Sequence, residues 1–382
     1  MTIEDVSLLS EDLNTEASRA ERLLRLHLDQ TYIETYEGIP QATLSPSIRF
    51  DDFASLFDAG DRSHEANLFR LGKALFDEID LRLPADSSAE LVDTISAVRR
   101  KLALSKWLEN AVAPSVDSDL LKNGENRPAK LFSLLSGNSV ARAVDMALEG
   151  HDMRLASLIS QIGRTGEFRE EIQRQLDDWA KYHADSVISV EYRRVYALLA
   201  GITDISPGNK LRGSDSSPDV LISKDLDWKR AFGLRLWYAC PFETSISDVF
   251  SDFDESLKHS NPPAAPLPPY LEITKSSHWN SPTRPTDVLY NLIRLYSDTT
   301  ISLEQVLSAR DSSSSPTDLR LPWHLYQLLS RVLQKRDFLD RDEEGYSAQA
   351  DRLTQAYASQ LEQTCQWTYA AFVLLHLETI EG

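Results

Sequence analysis

The sequence predicts an all-α protein, an irregular stack of antiparallel helices. Three observations carry that expectation. Apolar residues recur at i, i+3, i+4 and i+7 through most of the chain. The breaks at Gly137, Gly150 and Gly163 are short enough to fold consecutive helices back on each other. Alternating apolar and polar runs flanked by turns are missing, and Ser186–Val190 is the one short β-like stretch. No tetratricopeptide or ankyrin period runs through the chain, so the stack is not an array of copies.

Residues 1–38 open polar and then set Leu23, Leu24, Leu26 and Leu28 among charged residues, predicting a helix from about Glu16 to Tyr36 that ends at Gly38. Pro40 and Pro46 mark a loop. Phe50–Phe57 and Ser63–Ile79 read as two more helices, the second burying Phe69, Leu75, Phe76 and Ile79. Ser87 and Glu90 have capping-box spacing, each offering an oxygen to a helix-end N–H. Leu91, Ile95, Val98 and Leu102 extend that helix to about Val112, and Pro114–Arg127 reads as a polar connection.

Pro128–Gly163 is the most regular unit: three short helices, with Val140, Ala143, Val144 and Ala147 as the stripe of the second. Its glycines are expected to end the helices as residues that tolerate left-handed backbone. Ala143, Ala147 and Ala156 allow close approach, Asp152 reads as an N-cap, and His151 as a loop residue. Phe168, Ile172, Leu176 and Trp179 form the next stripe, and Val190–Leu199 a helix stopped at Gly201. Residues 206–219 read as a loop or disordered insertion. Trp228–Ala239 resumes the pattern, followed by a helix carrying Ile246, Val249, Phe250 and Phe253. Asn261–Tyr270 is polyproline-like.

Thr286 is expected to cap a helix with Leu289, Leu292 and Ile293, and Ser302 with Gln305 repeats the capping-box spacing. Asp311–Pro316 reads as a loop, and Pro322 as the first residue of a helix burying Leu325, Leu328 and Leu329. Leu353, Tyr357 and Leu361 mark the penultimate helix, and Trp367, Ala371 and Leu374 the last.

The composition bounds the function. Apolar residues make up 42% and charged residues 26% of 382, the balance of a folded chain. A net charge of −19 argues against broad attraction to nucleic acid or anionic lipid, and the short basic stretch Arg99–Lys101 reads as a solvated face. The longest apolar stretch, Trp367–Leu377, is too short to span a bilayer. Cys240 and Cys365 lie far apart and read as buried small hydrophobes. Asp51-Asp52 and Asp177-Asp178 lack the further carboxylates a metal-bound diphosphate requires. The histidines show no ligand spacing, no phosphate loop or nucleophile elbow is present, and the tryptophans lie on packing faces. No catalytic, metal or cofactor site is therefore expected. A long helical stack of this kind offers surface for holding other proteins.

Several blocks together resemble one family: SIRFDDFASLF, SHEANLFRLGKALFDEI, LFSLLSGNSVARAVDMALEGHDMRLASLISQ, FREEIQRQLDDWAKY, EYRRVYALLAG, DWKRAFGLRLWYACPFETSISDVF, PLPPY and YASQLEQTCQWTYAAFVLLHL. They look like the helical domain of the nucleoporin ninety-six/one-forty-five C family, scaffold subunits of the Y-shaped nuclear pore coat. The similarity runs from about Ile48 to the chain end, leaving residues 1–47 as an N-terminal helix and linker. The resemblance implies an ancestral coatomer element, an α-helical solenoid that runs out as a trunk, turns through a crown, and folds back on itself. It implies a nuclear envelope location, a role in nucleocytoplasmic transport, and no enzyme activity.

The partners it implies are the Sec-thirteen β-propeller along the trunk and the neighbouring helical nucleoporin, eighty-four or one-hundred-seven, through the crown. The family inserts a β-rich segment as a missing propeller blade, and residues 1–47 read as containing no such strands. The family also continues into a tail beyond the position of Gly382, so the tail contacts are expected to be absent. The crown is placed at residues 128–201, with Leu131, Leu134, Leu135, Val140 and Leu158 as candidates for its docking face or its packing. A vesicle-coat rod resembling Sec-sixteen or Sec-thirty-one is the alternative within the fold, and an all-α metal-dependent enzyme the remote one.

Overall fold

The computed structural model describes residues 18–36, 38–84, 87–163, 166–209, 216–241, 243–274, 285–342 and 346–378. Helix makes up 60% and strands are few and short, so the fold is all-α. In chain order the elements are α1 (18–29), β1 (Thr31–Tyr36), β2 (Ile39–Leu44), α2 (Phe50–Ala54), α3 (His64–Phe76), α4 (Ala89–Lys122), α5 (Arg127–Leu135), α6 (Val140–Glu149), α7 (Met153–Ile159), α8 (Gly166–Lys181), α9 (Val190–Leu199), β3 (Ile205–Ser206), β4 (Val220–Leu221), α10 (Trp228–Leu234), α11 (Ile246–Ser256), α12 (Pro269–Thr274), α13 (Val288–Ser297), α14 (Ala309–Ser312), α15 (Arg320–Tyr326), α16 (Ala348–Gln363) and α17 (Trp367–Leu374). The chain forms two compact units. The first comprises Met1–Glu78 and Leu267–Gly382, and the second, Ile79–Pro266, is inserted into it along the sequence.

In the first unit α1 shares one core with α15, α16 and α17. Leu24 of α1 packs with Trp323, Tyr357, Leu361, Phe372 and Val373. His27, His324 and His376 are buried in the same place. The Nδ1 atoms of His27 and His324 lie 3.0 Å apart, and the His27 ring is 4.8 Å from that of Trp323. Burial holds all three imidazoles neutral: His27 falls well below the usual range, His324 to about 3 and His376 to about 4. In α2 and α3, Phe53 stacks on Phe69 at 5.2 Å. A Cβ at Gly72 would meet the Phe50 ring at 2.2 Å, so only glycine permits that approach. The Asp77 carboxylate accepts from the first N–H groups of α2, Phe50 at 3.1 Å and Asp51 at 2.9 Å, and burial lifts its pKa to about 6.

The expected helix to Tyr36 stops early. Residues 31–44 form an antiparallel hairpin with Tyr36 opposite Ile39 across a two-residue turn. Gly38 has φ +89, the backbone such a turn demands. TYIETY is rich in β-branched and aromatic residues, which the leucine spacing upstream obscured. Pro40 is accommodated because its position points outward from the ladder, like Ala42, whose N–H donates to the Leu375 carbonyl at 2.8 Å.

The second unit is organised on α4, 34 residues long. It runs through Pro114 instead of ending before it, because Leu108, Val112 and Val116 are all buried and packing holds the helix across the lost hydrogen bond. Its N-cap is Ser88, whose oxygen accepts from the Leu91 N–H, while Ser87 donates to the Pro84 carbonyl. The expected stripe Leu91–Leu102 is not buried: Leu91 is 45% and Leu102 52% exposed. Lys101, by contrast, is buried, its Nζ donating to the Pro241 and Thr244 carbonyls at 3.1 and 2.9 Å.

Gly163 and Gly201 take left-handed backbone as expected, but Gly137 and Gly150 do not. At those two breaks the left-handed residues are Asn138 (φ 54) and His151 (φ 60). Each completes a Schellman motif: Ser139 N–H donates to the Leu134 carbonyl and Asp152 N–H to that of Ala147. Gly137 serves close approach instead, since a Cβ there would lie 2.6 Å from Val116 Cγ2.

Other expectations move by a residue or change type. Ala184–Ser186 is a 3-10 turn and Ser189 caps α9, so no strand lies there. Asp287, not Thr286, caps α13; Ser302 precedes a 3-10 turn without capping it; Pro322 is the third residue of α15. Ile205 pairs with Leu221 at the base of the 206–219 loop, whose residues 210–215 lie outside the described ones. Cys240 is half-buried and Cys365 exposed at φ 60, and Trp367 is 62% exposed, so these three are not core residues.

Candidate interaction surfaces

Among the described residues no group of three His, Cys, Asp or Glu is arranged to hold a metal ion. No helix there is long and apolar enough to cross a membrane.

All five candidate docking residues lie in the second unit. Leu131, Leu134 and Leu135 of α5 are at most 2% exposed. Each buried leucine contributes about 1.5–3 kcal/mol to that unit's core. Val140 and Leu158, at the start of α6 and in α7, are half-buried. The end of α5 is braced from several sides. Tyr238 donates its hydroxyl to the Leu135 carbonyl at 2.7 Å, and burial pushes that phenol up. Arg230, 2% exposed, pairs with Asp119 and with the Ser136 hydroxyl. The Arg194 guanidinium lies 3.9 Å over the Phe132 ring and donates to the Ile222 and Lys224 carbonyls. Burial lowers its pKa to about 10. Asp119, Phe132, Arg194 and Arg230 line a cleft of about 200 Å³ between α4, α5 and α9. Both of its arginines, Arg194 and Arg230, donate to protein partners.

The exposed apolar side chains sit at the turns beside that core. Leu148 (41%) and Met153 (62%) flank the α6–α7 turn, and Val187 (85%) and Val190 (41%) the α8–α9 turn. Tyr192 Oη, 3.5 Å from Asp152 Oδ2, ties the two turns together, and Arg154 links α7 to Gln175 of α8 at 2.8 Å. Leu148 follows the α6 spacing, four residues after Val144, yet nothing covers it, whereas Met153, Val187 and Val190 stand off the stripes, next to the breaks. Their signal was their position: an apolar residue beside a helix-ending turn, outside the buried period, has no core to join.

The first unit offers the hairpin. β1 has β2 as its only neighbouring strand among the described residues, and Tyr32 (64%) and Ile33 (53%) stand exposed on it. An open strand edge of this kind is a template for adding another strand.

Comparison with known proteins places the chain. The family model described as Nuclear protein 96 matches residues 129–381. Nucleoporin nup189 of Schizosaccharomyces pombe is 29% identical over 96% of this chain and 20% of its own length. Nuclear pore complex protein NUP96 of Arabidopsis thaliana is 29% identical over 76% of the chain and 26% of its own. Nuclear pore complex protein Nup98-Nup96 of Drosophila melanogaster is 30% identical over 73% of the chain and 13% of its own. The chain thus spans about a quarter or less of the length of these relatives. It belongs to the Nuclear protein 96 family, whose members are structural nucleoporins of the nuclear pore complex at the nuclear envelope and not enzymes.

Proposed function

We propose that this chain is a helical scaffold element of the Y-shaped nuclear pore coat, holding neighbouring coat subunits at fixed separation and so supporting nucleocytoplasmic transport. One observation carries the reading. The chain leaves the first unit at Glu78, builds the second from Ile79 to Pro266, and re-enters the first at Leu267. That path suits an ancestral coatomer element in which the first unit is the trunk of a folded-back solenoid and the second its crown. Residues 128–201 then lie within the crown.

The crown partner is the neighbouring helical nucleoporin, eighty-four or one-hundred-seven. Its docking face includes half-buried Val140 and Leu158 with exposed Leu148, Met153, Val187 and Val190. Leu131, Leu134 and Leu135 support that face from beneath. The Sec-thirteen propeller engages the trunk, and the open edge of β1 supplies a strand-adding contact.

The test is reconstitution of the chain with each purified partner. Met153→Asp/Val187→Asp lowers affinity for the helical nucleoporin at least about tenfold, with circular dichroism unchanged. Ile33→Pro removes an outward-facing strand N–H and weakens the propeller complex alone. Full affinity of both variants for both partners would sink the assignment.

A further inference from the structure

The chain holds five Ser-Pro pairs, beginning at Ser45, Ser206, Ser217, Ser281 and Ser315, and no Thr-Pro pair. Ser281 lies outside the described residues. Of the other four, the fold hides three. Ser45 is buried and shares a hydrogen bond of 2.8 Å with the Ser47 hydroxyl. Ser206 is buried in β3, opposite Val220. Ser217 is buried, donates to the Asp185 carboxylate and accepts from the Asn209 N–H at 2.8 Å. Ser315 is exposed, together with Ser314, Pro316 and Thr317, in the connection between α14 and α15.

That connection is held at its ends and loose between them. Asp311 is buried and accepts from the Thr286 N–H at 3.2 Å and from Asn291 Nδ2 at 2.8 Å. On the far side the Leu319 N–H donates to Gln360 Oε1 at 2.9 Å. The hydrogen bonds of Ser315 stay inside the loop. Its N–H donates to the Ser313 hydroxyl at 3.2 Å, and its own hydroxyl lies 3.0 Å from that of Thr317. Its carbonyl accepts from the Asp318 N–H at 3.3 Å. Drawing residues 314–317 into another protein's cleft therefore costs only hydrogen bonds within the loop. Pro316 also biases Ser315 toward extended backbone, the form in which a segment threads such a cleft.

We propose that Ser315 is a phosphorylation site for a proline-directed protein kinase. The Ser315 hydroxyl oxygen attacks the γ-phosphorus of ATP held by the kinase, and a new O–P bond forms. The bond from that phosphorus to the β–γ bridging oxygen breaks, and ADP leaves with the electron pair. The hydroxyl proton passes to the kinase's catalytic carboxylate. Two features set the kinase class. Pro316 has no N–H, so the enzyme must accept a ring at the next position without bonding that amide. The four residues ahead of Ser315, Asp311 to Ser314, carry no cation, which disfavours enzymes that read arginine or lysine there. The product is a dianion three residues before Asp318 in a chain of net charge −19, so this face comes to repel acidic partners. Because the Ser315 hydroxyl bonds only Thr317, the phosphate changes surface charge and leaves the packing as it is. None of this depends on which subunit the chain binds.

The test uses the full chain carrying Ser281→Ala, a purified proline-directed kinase and magnesium ATP. Four synthetic peptides spanning the Ser45, Ser206, Ser217 and Ser315 pairs serve as unfolded controls. Phosphopeptide mapping by mass spectrometry reads the initial rate at each serine. Dividing each rate by that of its own peptide removes sequence preference and leaves accessibility. On that scale Ser315 is modified at least about tenfold faster than Ser45, Ser206 and Ser217. Pro316→Ala lowers the Ser315 rate at least about tenfold, Ser314→Ala leaves it unchanged, and the melting curve is the same before and after modification. Absence of phosphate on Ser315 of the folded chain would overturn the proposal. So would equal relative rates at the three buried serines, a Ser315 rate that survives Pro316→Ala, or a melting curve that shifts on phosphorylation.

Discussion

Gly137→Ala asks whether a glycine at a helix end is there for its backbone or for its missing side chain. The left-handed residue at this turn is Asn138, so backbone freedom does not explain Gly137. An added Cβ would lie 2.6 Å from Val116 Cγ2, with Val112 Cγ2 at 3.6 Å and the Leu134 carbonyl at 3.7 Å. Carbon–carbon contact is optimal at roughly 3.5–4.0 Å. Either α5 backs away from α4 by about an ångström, or Val116, 2% exposed, leaves its rotamer. Overpacking of this degree costs about 1–3 kcal/mol. Alanine's smaller freedom in the unfolded chain offsets about 0.4–1 kcal/mol of that. The expected net loss is about 1–2 kcal/mol in the second unit. Urea titration followed by tryptophan fluorescence reports it, since Trp107 and Trp228 are buried in that unit. In a Val116→Ala background the clash is gone, and Gly137→Ala becomes neutral or slightly stabilising. Equal losses in both backgrounds, or none in the native one, would refute the close-approach argument.

Other expectations follow from the same structure. The unfolded chain protonates its histidines from about pH 6.5 downward, whereas the folded chain protonates His376 and His324 only near 4 and 3. The first unit therefore loses stability as pH falls through that window, by about 1.4 kcal/mol per pH unit per histidine. Asp77 and Asp311, raised to about 6 by burial, take up protons first in the folded state and oppose that loss between about 6 and their ordinary 3.8. Three histidines outweigh two carboxylates, and His324→Phe levels the balance; melting temperatures that slope equally in both chains below pH 6 would count against it. Arg230→Met removes the buried guanidinium shared by Asp119 and the Ser136 hydroxyl, leaving Asp119 to Lys122 and Ser136 to the Ser133 carbonyl, and lowers the urea midpoint by the equivalent of about 2 kcal/mol; an unchanged midpoint would show that the pair is dispensable. Gly38→Ala strains a φ of +89 by about 1 kcal/mol and speeds Ala42 amide exchange about fivefold, an effect hydrogen exchange resolves directly.

What was legible in the sequence was whatever local spacing dictates. The stripes of α3, α6 and α11, the Asp152 cap, the Gly201 stop and the glycine-marked turns around α6 follow from side-chain period and cap chemistry alone. The family blocks reach most of the same helices, and the family match bears them out. The errors fall where two local rules compete. Leucine spacing in residues 23–28 predicts a helix through TYIETY, where β-branched residues and a two-residue turn favour a hairpin. Pro114 reads as a stop because the rule for proline is local, while the packing of Val112 and Val116 that overrides it is not.

The sequence by itself determined the helical class and the family, because periodicity and ordered blocks survive without coordinates. Only the tertiary structure decided which face of each helix is covered. Leu131 and Leu91 are equally apolar and equally periodic, yet one is buried and the other open. The difference lies in whether another element arrives to exclude water, and that depends on contacts between residues far apart in the chain, which no local spacing encodes.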